Sequence, residues 1–387
     1  MNNQSPAIPL FDLNYGTEEE EAVLRVLRSK WLTMGPETEA LEHEFSDYFK
    51  IKHAVAVSNC TTALHLANLA VGVKQGIEVI CPSLTFVATS NSVIYAGGTP
   101  VFADIISTDD WTISPHEIEK KINKNTRVII VMHYGGFACQ MDEILNIATT
   151  NNIQVIEDAA HCPGSTYKGK KLGSIGNISC FSFFSNKNIS TGEGGMICTN
   201  NDDYANYIKI IRSHGMTSAT LDRHHGHAYS YDVTDLGYNY RIDEIHAALA
   251  RCQLKKLETG NEHRRLAATH YKDALSKSDK IKIPFGNYCF PANYHIFPIL
   301  LDKSIDRHDL MVFLREKGIQ TSIHYPPIHQ FSYYKAIMRN QILHNTDFIS
   351  RHELTLPMYA GISDAQIDYV VDALNNFIRE TPIPKAK

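Results

Sequence analysis

Lys187 stands in Ser179-Cys-Phe-Ser-Phe-Phe-Ser-Asn-Lys-Asn, just after one apolar stretch, and Gly195-Met-Ile-Cys-Thr opens another. Gly192, Gly194 and Gly195 allow a tight return between the two. Holding an ammonium group between core strands is costly, because burial disfavours the charged form. That desolvation lowers a lysine's pKa and suits it to Schiff-base chemistry, whereas a solvated loop lysine would do nothing. A carboxylate partner is at hand in Gln154-Val-Ile-Glu-Asp, where Glu157 and Asp158 end a buried run. An acid at the C-terminal edge of a strand faces the crevice in which α/β sheets take ligands. Set against a pyridine-type nitrogen, it would keep such a ring protonated and electron-accepting; capping the next helix is the plainer alternative.

Ser58-Asn-Cys-Thr-Thr supplies a further part, since a helix start leaves backbone N–H groups free to meet an anion. Cys81-Pro-Ser-Leu-Thr-Phe places Phe86 at another strand edge, where its ring could stack on a flat ligand or simply fill core.

Positioning these groups falls to short apolar runs beginning near His53, Glu78, Pro100, Arg127, Gln154, Ser179 and Gly195, separated by helical spacing over 61–70, 87–96, 114–122 and 141–149. Such runs predict an α/β fold with a mostly parallel, seven-stranded sheet covered by helices on both faces. An uninterrupted helical pattern from Asp243 to about Leu275 follows. Strands are expected at Ile281-Lys-Ile-Pro, His295-Ile-Phe-Pro-Ile-Leu-Leu and Ile319-Gln-Thr-Ser-Ile-His-Tyr, with helices over 306–317 and 364–379. We therefore expect residues 1–259 to form a large domain with an N-terminal arm and bridging helix, and 260–387 a smaller α+β domain.

The chain's 387 residues, 43% hydrophobic and 20% charged, suffice for a large core and leave no room for a long disordered tract. A formal charge of -5 argues against nucleic acid as partner. The start carries no basic and apolar leader, and no apolar run is long enough to span a membrane, so a cytoplasmic protein without membrane partner is expected. Eight scattered cysteines without a Cys-x-x-Cys pair read as reduced, buried small hydrophobes. The sequons at Asn59, Asn177 and Asn188 read as chance matches.

Two motifs mislead. Gly164-Ser-Thr-Tyr-Lys-Gly-Lys-Lys has P-loop spacing but Lys171 where Ser or Thr must hold magnesium, so a hairpin-like loop is expected. His224, His225 and His227 cluster without helical spacing or added ligands, which reads as a polar loop rather than a metal site. No metal is expected.

In order along the chain, Ser-Asn-x-Thr, Glu-Asp-Ala-Ala-His, Ser-Phe-x-x-x-Lys-x-x-x-x-Gly-Glu-Gly-Gly and Gly-Tyr-Asn-Tyr-Arg are present. With these the sequence resembles the DegT-type, StrS-like sugar aminotransferases of the aspartate-aminotransferase fold (fold type I), across nearly its whole length. The resemblance implies that Lys187 carries pyridoxal 5'-phosphate (PLP) as a Schiff base and that Asp158 pairs with its ring nitrogen. Phe86 would stack on the ring and His161 approach its phenolic oxygen. The amides of Cys60 and Thr61, with Ser182, would hold the phosphate; Cys60, where many relatives have Gly, limits how closely the backbone can approach. Asn239 would reach the phosphate in the neighbouring subunit, making a homodimer with shared sites. A dehydratase branch carries His in place of the lysine, so Lys187 favours transamination.

The implied reaction passes the amino group of glutamate to the cofactor, giving pyridoxamine 5'-phosphate (PMP), and then to a nucleotide-linked keto sugar in amino-sugar biosynthesis. We expect a 4-keto-6-deoxy sugar, with a 3-keto sugar, a PLP- or PMP-dependent dehydration, or a non-catalytic regulatory role as alternatives. Sugar contacts are expected from Trp31–Gly35, including Thr33 and Gly35, from 224–231, and from His324, Tyr325 and His329.

Overall fold

A computed structural model describes residues 8–217, 231–338 and 341–380. The histidines at 224, 225 and 227 lie outside the described residues. Helices α1 (Thr17–Ser29) and α2 (Pro36–Phe49) precede the first strand. Pro36 opens α2 at a position where a missing N–H costs nothing. The other end of that device is the buried Glu244 carboxylate, which accepts the amides of Gly35, Glu37 and Thr38 at 2.7–3.0 Å. A carboxylate at a helix N-terminus both satisfies orphan donors and meets the positive end of the dipole.

Seven strands form the main sheet in the order β1 (His53–Val57), β9 (Gly195–Thr199), β8 (Ile178–Ser182), β5 (Gln154–Asp158), β4 (Thr126–Met132), β2 (Glu78–Pro82), β3 (Thr99–Ala103). Pairing is parallel from β8 through β3, while β9 runs antiparallel to both β1 and β8. Their side chains are buried on both faces almost throughout, which is why these strands read as continuous Val/Ile runs instead of alternating ones. Covering helices are α3 (Cys60–Ala70), α4 (Ala88–Tyr95), α5 (Pro115–Lys121), α6 (Met141–Thr150) and α7 (Asp202–Ile211). The P-loop lookalike is the hairpin of β6 (Thr166–Tyr167) and β7 (Lys170–Lys171).

The 32-residue helix α8 (Glu244–Leu275) serves two cores. Ala247, Ala250, Leu254 and Leu257 pack with Phe45, Phe49 and Phe181 of the main layer. Ala267, Ala268, Tyr271 and Leu275 pack with Phe297, Ile299 and Leu354 of a second, antiparallel sheet. That sheet is β10 (Ile281–Lys282), β11 (Phe297–Leu301) and β12 (Glu353–Leu356). Helices α9 (Arg307–Glu316), α10 (Ser332–Ile337), α11 (His344–His352) and α12 (Asp364–Glu380) complete the described elements. The expected seam at 259 and 260 falls inside α8, between its two packing faces.

One expected strand is not a strand. Residues 319–325 make only isolated bridges, Ile8 with Ile319 and Ser322 with Thr355. The third strand of the small sheet is β12, whose four residues are all buried. The 319–325 segment instead delivers His324 and Tyr325 to a cavity above the main sheet. All eight cysteines are free thiols, and Cys289 is exposed, against the expectation of general burial. No described helix is long and apolar enough to cross a membrane, and no described group of His, Cys, Asp and Glu is placed to hold a metal.

Candidate active site

At the C-terminal edge of the parallel strands lies a cavity of about 500 Å³. Asp158 ends β5 and Met132 ends β4, so the pleat itself decides which side chains reach it. Glu157 and Asp158 are neighbours and point to opposite faces. Glu157 is taken by His133 at 2.9 Å and by the amides of Gly173, Ile175 and Gly176. Burial pushes its carboxyl up, yet His133 and these amides outweigh that and hold it low. It is a structural anion.

Asp158 is the one that lines the cavity. Its Oδ2 accepts the Thr89 hydroxyl at 2.7 Å, and its Oδ1 the Ala160 amide at 3.3 Å. Burial pushes the carboxyl above its usual range, with Thr89, Ala160 and Lys187 pulling against it. A carboxylate whose charge is disfavoured in this way gains from a cationic ring N–H in the cavity.

Lys187 sits on the turn between β8 and β9, with its backbone amide bonded to Phe184 O and its side chain in the cavity wall. Burial pulls its ammonium down to about 8, against the opposing pull of Asp158. An amine poised there is a nucleophile near neutral pH.

The anion cradle is local helix chemistry. Asn59 caps α3 by accepting the Thr62 amide at 2.9 Å, while Asn59 O takes the Ala63 amide. Cys60 and Thr61 therefore keep amides without an intrahelical acceptor at the cavity rim, beside Ser182. Gly195 makes the approach possible: a Cβ there would lie 2.7 Å from Asn59 C and 2.9 Å from Cys60 N. Phe86 is 57% exposed although it lines the cavity, a large ring face left free to cover a flat ligand. Lysine, acid, helix-end cradle and free ring face together fit a phosphorylated pyridine cofactor.

His161 and Tyr325 also line the cavity. The Gly135 amide donates to His161 Nδ1 at 3.3 Å, so the neutral ring carries its proton on Nε2, 2.8 Å from Tyr325 Oη. Burial, followed by Lys187 and His324, keeps His161 neutral. His324 lines the cavity beside it. Its amide donates to the buried Glu353 carboxyl at 3.0 Å, and Tyr134 Oη donates to its carbonyl. Thr355 Oγ1 is hydrogen-bonded both to Glu353 and, at 2.9 Å, to His324 Nδ1.

The other expected residues lie apart from this cavity. Thr33 is exposed, and the Gly35 amide is engaged by Glu244. His329 bonds Ser83 at 2.8 Å and Asp347 at 3.0 Å. Asn239 is exposed, bridged through its backbone to Ser213. Sequence reading missed Asn186 and Glu193, which line the cavity, Thr89, which holds Asp158, and His295, which holds Lys187. Asn186 and Glu193 flank Lys187 within the same motif, whereas Thr89 and His295 are distant in sequence and carry no local signal.

Comparison with known proteins agrees with this geometry. The model of the DegT/DnrJ/EryC1/StrS aminotransferase family matches residues 14–375. The spore coat polysaccharide biosynthesis protein SpsC of Bacillus subtilis is 35% identical over 371 residues, covering 94% of this chain and 95% of that protein. The structure of DesV from S. venezuelae superposes with a TM-score of 0.89 at 30% identity, covering 98% of this chain and all of the other. A putative sugar aminotransferase of Streptococcus pneumoniae, Spr1654, solved in PMP- and PLP-forms, is 26% identical; its PMP-form gives a TM-score of 0.90 and covers 98% of this chain and all of the other.

Proposed function

The chain belongs to the DegT/DnrJ/EryC1/StrS aminotransferase family and is a PLP-dependent sugar aminotransferase, and we propose that it moves the amino group of glutamate onto a nucleotide-linked 4-keto-6-deoxy sugar. The observation that carries this reading is the convergence of Lys187, Asp158 and the α3 cradle on one cavity.

When bound, the cofactor supplies an electrophilic carbon and an electron-accepting ring. Asp158, held by Thr89, keeps the ring nitrogen protonated. The amides of Cys60 and Thr61 and the Ser182 hydroxyl hold the phosphate. Phe86 would cover one face of the ring and exclude water, and His161 would approach the phenolic oxygen. Lys187 Nζ would be the group that holds the cofactor, and as a free amine it would move the proton to and from the substrate carbon.

Asn239 reaches the partner's site in a homodimer on this reading, and His324 and Tyr325, which line the cavity, serve the sugar side. The choice of C4 rests on Gly237-Tyr-Asn-Tyr-Arg-Ile-Asp-Glu and the motif around Lys187. Matched 3-keto and 4-keto nucleotide sugars offered to the glutamate-loaded enzyme test it. Amino-sugar product from the 4-keto compound is expected; product from the 3-keto compound alone refutes the C4 assignment, and product from neither refutes a nucleotide-linked acceptor.

A further inference from the structure

Lys187 Nζ is hydrogen-bonded to Nε2 of His295 at 3.2 Å. His295 is buried, lies just before β11, and is anchored by its own amide on Gly135 O at 3.1 Å. Which of its two nitrogens carries the proton follows from a chain of amides that begins at a backbone carbonyl. Pro163 O can only accept, so Asn261 must turn its Nδ2 towards it, at 3.0 Å. Asn261 Oδ1 is thereby left to accept Asn188 Nδ2 at 2.8 Å, and Asn188 Nδ2 also approaches Asn293 O at 3.3 Å. Asn188 Oδ1 in turn accepts His295 Nδ1–H at 3.1 Å. A neutral imidazole has one N–H, so Nε2 is bare and receives an N–H of Lys187. Burial, then Lys187 and His161, hold His295 neutral. Reversal of any amide would set two donors or two acceptors against each other. Gly164 preserves the arrangement, because a Cβ there would lie 2.4 Å from Asn261 Nδ2.

We propose that His295 is a positioning residue for amine transfer, its tautomer fixed by the Pro163–Asn261–Asn188 chain so that bare Nε2 holds the free Lys187 amine in one place. Resting on the aminotransferase reading, it explains how a long, flexible side chain returns to the same position after each displacement. His295 accepts a hydrogen bond and exchanges no proton, so the amine's single lone pair stays free for chemistry. A lysine without that anchor samples several rotamers, and a misplacement of about 1 Å costs on the order of 100-fold in rate.

The test joins tautomer and kinetics. In ¹⁵N-histidine NMR of the full-length enzyme in its PMP-loaded form, His295 is expected as the Nδ1–H tautomer between pH 6 and 8. An Nε2–H tautomer or an imidazolium in that range overturns the proposal, whatever the substrate proves to be. In the glutamate half-reaction, His295→Leu is expected to slow turnover on the order of 100-fold with little change in KM. His295→Gln, whose amide keeps an acceptor for Lys187 and a donor for Asn188, recovers most of the rate. Equal rates in wild type and His295→Leu, or equal loss in both variants, overturn the positioning role. Failure of every amino donor with wild-type enzyme would refute the aminotransferase reading instead, leaving the NMR result intact.

Discussion

Glu353→Gln should make the protein's stability less dependent on pH. Glu353 is fully buried and accepts Thr355 Oγ1 and the His324 amide. Burial pushes its carboxyl up from 4.5 to about 7, with Thr355, the His324 amide and Arg307 pulling the other way. A folded-state pKa above the unfolded one means that the folded chain binds more protons between pH 4.5 and 7, so this group's contribution to stability falls as pH rises through that window. The full shift of 7 − 4.5 = 2.5 units corresponds to about 3.4 kcal/mol at 1.36 kcal/mol per unit. Because part of it is already lost at pH 5, the expected change between pH 5 and pH 8 is about 2.5 kcal/mol. Gln keeps the shape and has no charge to bury, and any fixed cost of its unmatched N–H, about 1–3 kcal/mol, cancels between the two pH values. Urea unfolding of both proteins at both pH values, at one protein concentration, measures this double difference. The variant should gain about 2.5 kcal/mol on wild type on going from pH 5 to pH 8. Parallel behaviour of the two proteins would refute the buried, neutralised carboxyl.

Asp158→Asn should bind PLP more weakly and slow both half-reactions on the order of 100-fold, seen in stopped-flow absorbance; wild-type rates would remove Asp158 from its role. In the cofactor-free chain, Lys187 should become reactive towards an amine-specific reagent as pH rises through about 8, since its neutral form dominates above that value. Peptide mass spectrometry reads the midpoint, and one near 10 would contradict the desolvated site. Lys187→Ala mixed with Asn239→Ala should regain part of the lost turnover after subunit exchange, because one site then receives an intact lysine and the partner's asparagine. No recovery after verified exchange would exclude shared sites.

The main sheet was legible because strands buried on both faces carry short apolar runs without alternation, as in Val128–Met132 of β4 and Val155-Ile156 of β5. Lys187, Asp158 and the α3 cap were legible for a related reason: strand ends and helix starts place their residues by local geometry alone. What stayed hidden depends on tertiary pairing. Strand β12 is four residues long and directly follows a polar helix, too short a run for a periodic signal. Ile319-Gln-Thr-Ser-Ile-His-Tyr has strand-forming residues, yet it pairs only at Ile319 and Ser322 and gives His324 and Tyr325 to the cavity. His295 could not be singled out among nineteen histidines, since its meaning comes from Asn188, 107 positions earlier in the chain.

Isotope transfer tests the central claim most directly. Enzyme supplied with PLP, ¹⁵N-glutamate and a nucleotide-linked 4-keto-6-deoxy sugar should deliver ¹⁵N to the sugar carbon that bore the ketone, and folded Lys187→Ala should deliver none. Labelled product at the wild-type rate from Lys187→Ala, or no label in the sugar with wild-type enzyme, would contradict amine transfer through Lys187 from glutamate to the keto sugar.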